Sequence, residues 1–271
     1  MNALELSEAL KSGTRVYGTL IVSPAPSWAP QLKRLGLDFV FIDTEHISLD
    51  RHQIAWMCQT YRALNMAPLV RITSPDPYQA TTALDGGACG VIVPYVETVK
   101  QVQTLRGAIK LRPLRGQKLQ NILDGKEACD GELGEYIAEH NKENIFIINI
   151  ESVPALEALD DILKVPGLDA VLVGPHDLSC SLGIPEQYHH PEFERAVRRI
   201  FKKARAHGVG AGMHFWAGMD QQIPWAKEGD LNLIVHRADI LNFVESMKEE
   251  LWTIKEAVGD DSTETSGNLN I

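Results

Sequence analysis

The chain has 271 residues, 44% hydrophobic and 23% charged, which is ordinary globular material and enough for one large α/β domain. Its net charge of −10 excludes the basic footprint that nucleic acid requires, and no apolar run approaches membrane-spanning length. An anionic substrate is still allowed, because a local Arg or a metal ion overrides the global sign.

The first twenty residues carry acids and no long apolar core, so no signal peptide is expected. Short apolar runs then alternate with longer amphipathic stretches. The runs 16–22, 39–42, 68–71, 91–93, 145–150, 170–173, 209–213 and 233–235 are apolar on consecutive positions, as strands covered on both faces should be. Between them, 51–64, 75–86, 96–110, 154–163 and 191–207 carry helical patterns, several opened by Pro or Ser/Asp signals. Strand–helix–strand units in this number predict a parallel (β/α)8 TIM barrel, of one domain over 1–258. A doubly wound open sheet is the runner-up, but Ile21-Val22-Ser23-Pro24 lacks the Gly-rich phosphate turn of that fold. The segment 112–144 offers no strand and one helix over 132–140. It is expected as an elaborated loop over the active face, with a plain surface excursion as the alternative. A long helix over 238–258 follows the last strand, and 259–271 is a polar tail expected to fray. The four cysteines (Cys58, Cys89, Cys129 and Cys180) form no CxxC and are expected as buried free thiols of a reducing cytoplasm.

Barrel enzymes carry their chemistry at the carboxyl ends of the strands. Here those ends bring Asp43-Thr44-Glu45-His46, Arg71, Pro94, Glu151, Asp177, His214-Phe215-Trp216 and His236-Arg237. Charge directly after a buried run is costly unless it is used or paired. Glu151 and Asp177, one strand–helix unit apart, supply hard oxygen ligands suited to Mg2+ or Mn2+, with Co2+ a further option. Arg71 offers a planar fork for a carboxylate or a developing enolate oxygen. His46 exchanges protons near neutral pH, with Asp43 or Glu45 to orient it. An imidazole-rich alternative would gather His176, His214 and His236 around Zn2+ or Fe2+. No Lys stands at a predicted strand tip, which disfavours a Schiff base. No GxSxG or P-loop is present. Trp28, Trp56 and Trp225 fall in helical patterns and should pack, while Trp216 should line a pocket.

The runs Phe39-Val40-Phe41-Ile42-Asp43-Thr44-Glu45-His46, Pro68-Leu69-Val70-Arg71, Leu84-Asp85-Gly86-Gly87-Ala88 with Val91-Ile92-Val93-Pro94, Ile150-Glu151, and Gly174-Pro175-His176-Asp177-Leu178-Ser179 carry a resemblance. In this order they resemble the HpcH/HpaI aldolase/citrate-lyase family of metal-dependent 2-oxo-acid aldolases. The resemblance implies a TIM barrel whose last helix is exchanged between subunits of a homo-oligomer, a trimer or a hexamer. It implies reversible aldol cleavage of a 4-hydroxy-2-oxo acid to pyruvate, or a close 2-oxo acid, and an aldehyde through a metal-stabilised enolate. Glu151 and Asp177 would hold the metal, and Arg71 would face the enolate. His46 would be the acid/base with Asp43 behind it, and Asp85 would reach a neighbouring subunit's site. Gly174 and Pro175 would seat the carboxylate. Three departures bear on the second substrate: Asn149 where the family often has Gln, His176 where a small residue is common, and Gly116-Gln117-Lys118-Leu119 in place of a Gly-x-Arg-Gly segment. The rival readings are an oxaloacetate-type decarboxylase, a phosphoenolpyruvate-forming or hydratase enzyme, and a non-catalytic barrel subunit.

Overall fold

The structure is a computed structural model that describes residues 1–216 and 218–260. It opens with α1 (Ala3–Ser12), β1 (Val16–Ile21), α2 (Trp28–Lys33), β2 (Phe39–Asp43), α3 (Arg51–Ala63), β3 (Ala67–Arg71), α4 (Pro77–Asp85), β4 (Gly90–Val93) and α5 (Val99–Lys110). Two extra helices, α6 (Gly116–Leu123) and α7 (Gly131–His140), precede β5 (Ile145–Ile150). The chain continues through α8 (Val153–Glu157), α9 (Leu159–Ile162), β6 (Ala170–Val173), α10 (Pro175–Ser181), α11 (Pro191–Ala206), β7 (Gly210–Phe215), α12 (Met219–Lys227), β8 (Leu233–Ala238) and α13 (Asp239–Val258). Each strand pairs in parallel with the next and β8 closes on β1, so the sheet is the predicted eight-stranded barrel.

The consecutive apolar runs are explained by two cores. Along β2, Phe39 and Phe41 point into the barrel while Val40 and Ile42 face the helices. Along β5, Ile145 and Ile147 point in, and Phe146, Ile148 and Ile150 point out. The period of two therefore persists, but both faces are apolar because both are covered. Helices start where their caps dictate: Asp50 and Thr98 form capping boxes on α3 and α5, and Asp76 with Pro77 opens α4. The helix expected over 154–163 is divided into α8 and α9.

The amino end of the barrel is plugged by α1, whose Leu6 and Leu10 join the inner core. Buried Asp169 ties that end together. It accepts from Ser7 Oγ at 2.9 Å and from the Phe146 amide at 2.8 Å, and pairs with Lys110 Nζ at 2.6 Å and Lys11 Nζ at 3.1 Å. Buried Asn232 does the same for β7 and α1, accepting from the Ala211 amide at 2.8 Å and donating to the Leu10 carbonyl at 3.0 Å.

The 112–144 segment corrects the expectation that it covers the active face. It connects the end of α5 to the start of β5, and helix-to-strand connections lie at the amino end of a parallel barrel. It builds its own small core from Leu111, Ile122 and Ile137, and Leu119 and Leu123 pack against Gly107 of α5.

All four cysteines are free. Cys58 and Cys89 are buried, which pushes their thiols up to about 12 and about 11. Cys180 is exposed on α10, against expectation. Trp225 is buried, and Trp28 and Trp56 pack on the outer core as expected. No helix among the described residues is long and apolar enough to cross a membrane.

The last helix is anchored only at its root. Asp239 is the one buried residue of α13, accepting from the Val22 amide at 3.0 Å and Trp28 Nε1 at 2.7 Å. Ile240, Phe243, Met247, Leu251, Ile254 and Val258 stand exposed along it. Beside its root lies a groove of about 930 Å3 with Tyr17, Leu35, Met219 and Ile223 in its walls. Gly259 ends α13 in a left-handed cap, and the rest of the predicted tail, 261–271, lies outside the described residues.

Candidate active site

The open, carboxyl end of the barrel carries the polar residues. Asp43 and Arg71 are the last residues of β2 and β3 and stand opposite each other in register. Arg71 grips Asp43 with two parallel bonds, Nε to Oδ1 and Nη2 to Oδ2, both 2.7 Å. Such a fork holds a guanidinium in one plane as well as in one place. Burial would raise the Asp43 carboxyl, but the Arg71 bonds and charge outweigh it and hold Asp43 below its ordinary value. Arg71 is itself pulled down by burial, and the bonds and charge of Asp43, then Glu45 and Glu151, more than restore it. The guanidinium lies 5.3 Å from the centre of the Phe41 ring, which adds a cation–π contact.

Glu45 also turns inward. Its Oε2 is 3.0 Å from Arg71 Nη1 and 3.8 Å from His46 Nε2. The Arg71 approach is an ion pair off the hydrogen-bond direction, so the buried Oε2 has no hydrogen-bond donor among the described residues. His46 is half exposed. The acid within ion-pair distance of it is Glu45, whereas Asp43 is occupied by Arg71 and by the Glu45 amide at 3.0 Å.

Two strands on, Glu151 directly follows β5 and is buried. Oε1 accepts from the Tyr95 amide at 2.6 Å and Oε2 from Asn149 Nδ2 at 2.9 Å. Burial pushes its carboxyl up to about 7, and the charges of Asp177 and Glu45 push the same way against those two bonds. Gly174, at the tip of β6, makes room for it: a Cβ there would stand 2.5 Å from Glu151 Oε2. Asp177 follows in the exposed first turn of α10, after buried Pro175 and exposed His176. His176 Nδ1 lies 3.6 Å from Glu186.

Asp43, His46, Arg71, Asn149, Gly174, Pro175, His176 and Asp177 line one cavity of about 1570 Å3, joined by His214 and Trp216. Nine of the predicted site residues, Glu151 included, are thus brought together. Asp85 is not. It ends α4 at the opposite end of the barrel and pairs with Arg112. The imidazole-rich alternative is not assembled: His236 lines the groove beside α13 while His176 and His214 line the barrel cavity, and among the described residues no three His, Cys, Asp or Glu side chains gather where they could hold a metal ion. Sequence reasoning missed Tyr95, whose left-handed backbone (φ 54°) delivers its amide to Glu151. Its position directly after Pro94, at the tip of β4, was the signal.

The residues fit a divalent cation. Glu151 takes its hydrogen bonds from neutral donors, carries a raised pKa, and shares the cavity mouth with a second acid. Asn149 Oδ1 is buried beside it with no hydrogen-bond partner among the described residues. Three carboxylates (Asp43, Glu45 and Glu151) act on one guanidinium and Asp177 adds its charge beside Glu151, an excess of negative charge that a hard cation would offset.

The HpcH/HpaI aldolase/citrate lyase family matches residues 18–232. The 2-keto-3-deoxy-L-rhamnonate aldolase of Salmonella gallinarum (strain 287/91 / NCTC 13346) is 32% identical over 215 residues, 78% of this chain and 80% of that protein. The structure of an HpcH/HpaI aldolase from Desulfitobacterium hafniense DCB-2 superposes with a TM-score of 0.79 at 28% identity, covering 93% of this chain and 96% of the other. Citrate synthase SbnG superposes with a TM-score of 0.79 at 29% identity, covering 95% of this chain and all of its own. With the family match spanning most of the barrel and the relatives being carbon–carbon bond enzymes, this chain belongs to the HpcH/HpaI aldolase/citrate lyase family of carbon–carbon lyases.

Proposed function

We propose that the chain catalyses reversible aldol cleavage of a 4-hydroxy-2-oxo acid to pyruvate, or a close 2-oxo acid, and an aldehyde. The observation that carries this reading is the clamped guanidinium: Arg71 is fixed by Asp43 beside the acid pair of Glu151 and Asp177. Glu151 and Asp177 would hold the divalent cation that the family implies, with Mg2+ or Mn2+ suited to their oxygens and Co2+ a third option. When bound, such an ion supplies Lewis acidity at the 2-oxo group.

The chain's own groups do the rest. Breaking the C3–C4 bond leaves an electron pair on the three-carbon fragment, and the negative charge collects on the former carbonyl oxygen. Asp43 takes Nε and Nη2 of Arg71 and Glu45 pairs with Nη1, and the guanidinium hydrogens that point away from both acids stabilise that oxygen. His46 takes the C4 hydroxyl proton, directly or through one water, and returns a proton to C3. Asn149 and the Gly174–Pro175 backbone seat the carboxylate, with His176 at the rim. Asp85, outside this chain's own cavity, would act in a neighbouring subunit's site.

A homo-oligomer supports that last role. The exposed apolar stripe of α13 and the 930 Å3 groove at its root are complementary in character, and the α13 of a second copy is the proposed occupant. The four free cysteines fit a reducing cytoplasm.

Incubation with Mn2+, pyruvate and a panel of aldehydes tests the reaction, with oxaloacetate as the competing substrate. New 4-hydroxy-2-oxo acids are expected, and Arg71→Ala should cut kcat/KM about 100-fold, or ~3 kcal/mol; turnover of oxaloacetate alone would favour the decarboxylase. In calorimetric titrations, Glu151→Gln and Asp177→Asn should each abolish Mn2+ binding, and wild-type affinity in either would remove the assigned ligands. On a sizing column with light scattering, the Met247→Glu/Leu251→Glu pair should convert the oligomer to monomer; an unchanged mass would clear α13 of any part in assembly.

A further inference from the structure

The outer face of β8 and β1 is the part of the barrel that its own chain leaves bare. In a parallel barrel the helix after a strand runs back toward the amino end over that strand's outer face. The helix after β8 is α13, which belongs between α12 and α2, yet only Asp239 at its root is buried. Tyr17 and Ile223 stand exposed in the uncovered place, the 930 Å3 groove. At the amino end of that groove two cations stand side by side. Arg15, directly before β1, donates from Nε to the carbonyl of Ala226 at 3.2 Å, and Lys227, the next residue, is the last of α12. Both are exposed, and neither has an acid within ion-pair distance among the described residues.

The exposed apolar residues along α13 follow one another by three or four positions, so they form one face. Glu250 falls within that spacing, three after Met247 and four before Ile254, and is the exposed acid on this face. Lys255 borders the opposite edge and lines the chain's own barrel cavity instead. The helix rises about 17 Å between Asp239 and Glu250, and β8, of six residues, spans about 20 Å. A copy of α13 laid in the groove with its root at the carboxyl end therefore brings Glu250 to the amino-end rim, onto Arg15 and Lys227. We infer that Glu250 of a second copy pairs with Arg15 and Lys227, and that this contact fixes the direction and register of the docked helix. The apolar stripe supplies area at several depths, whereas the charge meets its partners at one depth only. The inference rests on the exchange of α13 proposed above and names the residues that select its geometry.

The test is charge reversal on the full chain. Glu250→Lys alters only the helix, and the Arg15→Glu/Lys227→Glu pair alters only the groove; all three positions are exposed and lie outside the barrel cavity. Each variant alone sets like charges against each other. Followed by light scattering on dilution, each should raise the dissociation constant of the assembly about tenfold. Mixed one to one, the two variants meet with opposite charges in both directions of exchange, and the mixture should return to within about threefold of the unsubstituted chain. A mixture no tighter than the separate variants, or separate variants that assemble like the unsubstituted chain, overturns the inference while leaving the exchange intact. An unchanged mass in the Met247→Glu/Leu251→Glu pair would instead remove the exchange, and this inference with it.

Discussion

A buried guanidinium is tolerable only with a carboxylate against it, and the Arg71–Asp43 fork is the interaction on which this site depends. Two bonds of 2.7 Å between the last residues of adjacent strands fix the plane of the guanidinium. Glu45 closes on its third nitrogen at 3.0 Å. Arg71 therefore cannot swing away, and its unused N–H groups point where Asp43 and Glu45 do not. Preorganisation of this kind is what makes a donor effective toward a charge that exists only briefly.

The same cluster is one cation short. Arg71 answers Asp43, while Glu151 is left with its burial and then with the charges of Asp177 and Glu45, which together push its carboxyl up to about 7. Burial alone would not require two such acids to meet. Their meeting follows from register: β5 and β6 are neighbours, Ile150 pairs with Val173, and the next residues on each strand are Glu151 and Gly174. Glycine at that place lets the carboxylate lie across the backbone, and the first turn of α10 brings Asp177 to the same mouth. A divalent ion is the proposed answer to that excess charge.

Much of this was legible in the sequence because the barrel imposes simple rules. Strands covered on both faces are apolar at every position, so β2, β5 and β6 announced themselves, and whatever polar residue follows such a strand is at the open end. That logic located Asp43, Arg71, Glu151, Asp177 and His214. It could not assign partners. Asp43 and Glu45 both stand near His46 in sequence, and only side-chain direction gives Asp43 to Arg71 and leaves Glu45 beside the imidazole. Tyr95 contributes a backbone amide, which no side-chain pattern reveals. Length and polarity say only that the 112–144 connection is elaborate, whereas its end of the barrel follows from whether a helix or a strand precedes it, and here the helix α5 does. Asp85 stands at that same end, so one chain alone does not bring it to the cavity.

The central claim is that Asp43, by gripping Arg71, makes charge on a three-carbon fragment tolerable. It is tested most directly by following, by NMR in D2O with Mn2+ present, the replacement of the pyruvate methyl protons by Asp43→Asn and by the unsubstituted chain. Loss of half the ionic clamp should slow that exchange about 100-fold in Asp43→Asn. Exchange at the unsubstituted rate in that variant would contradict the account.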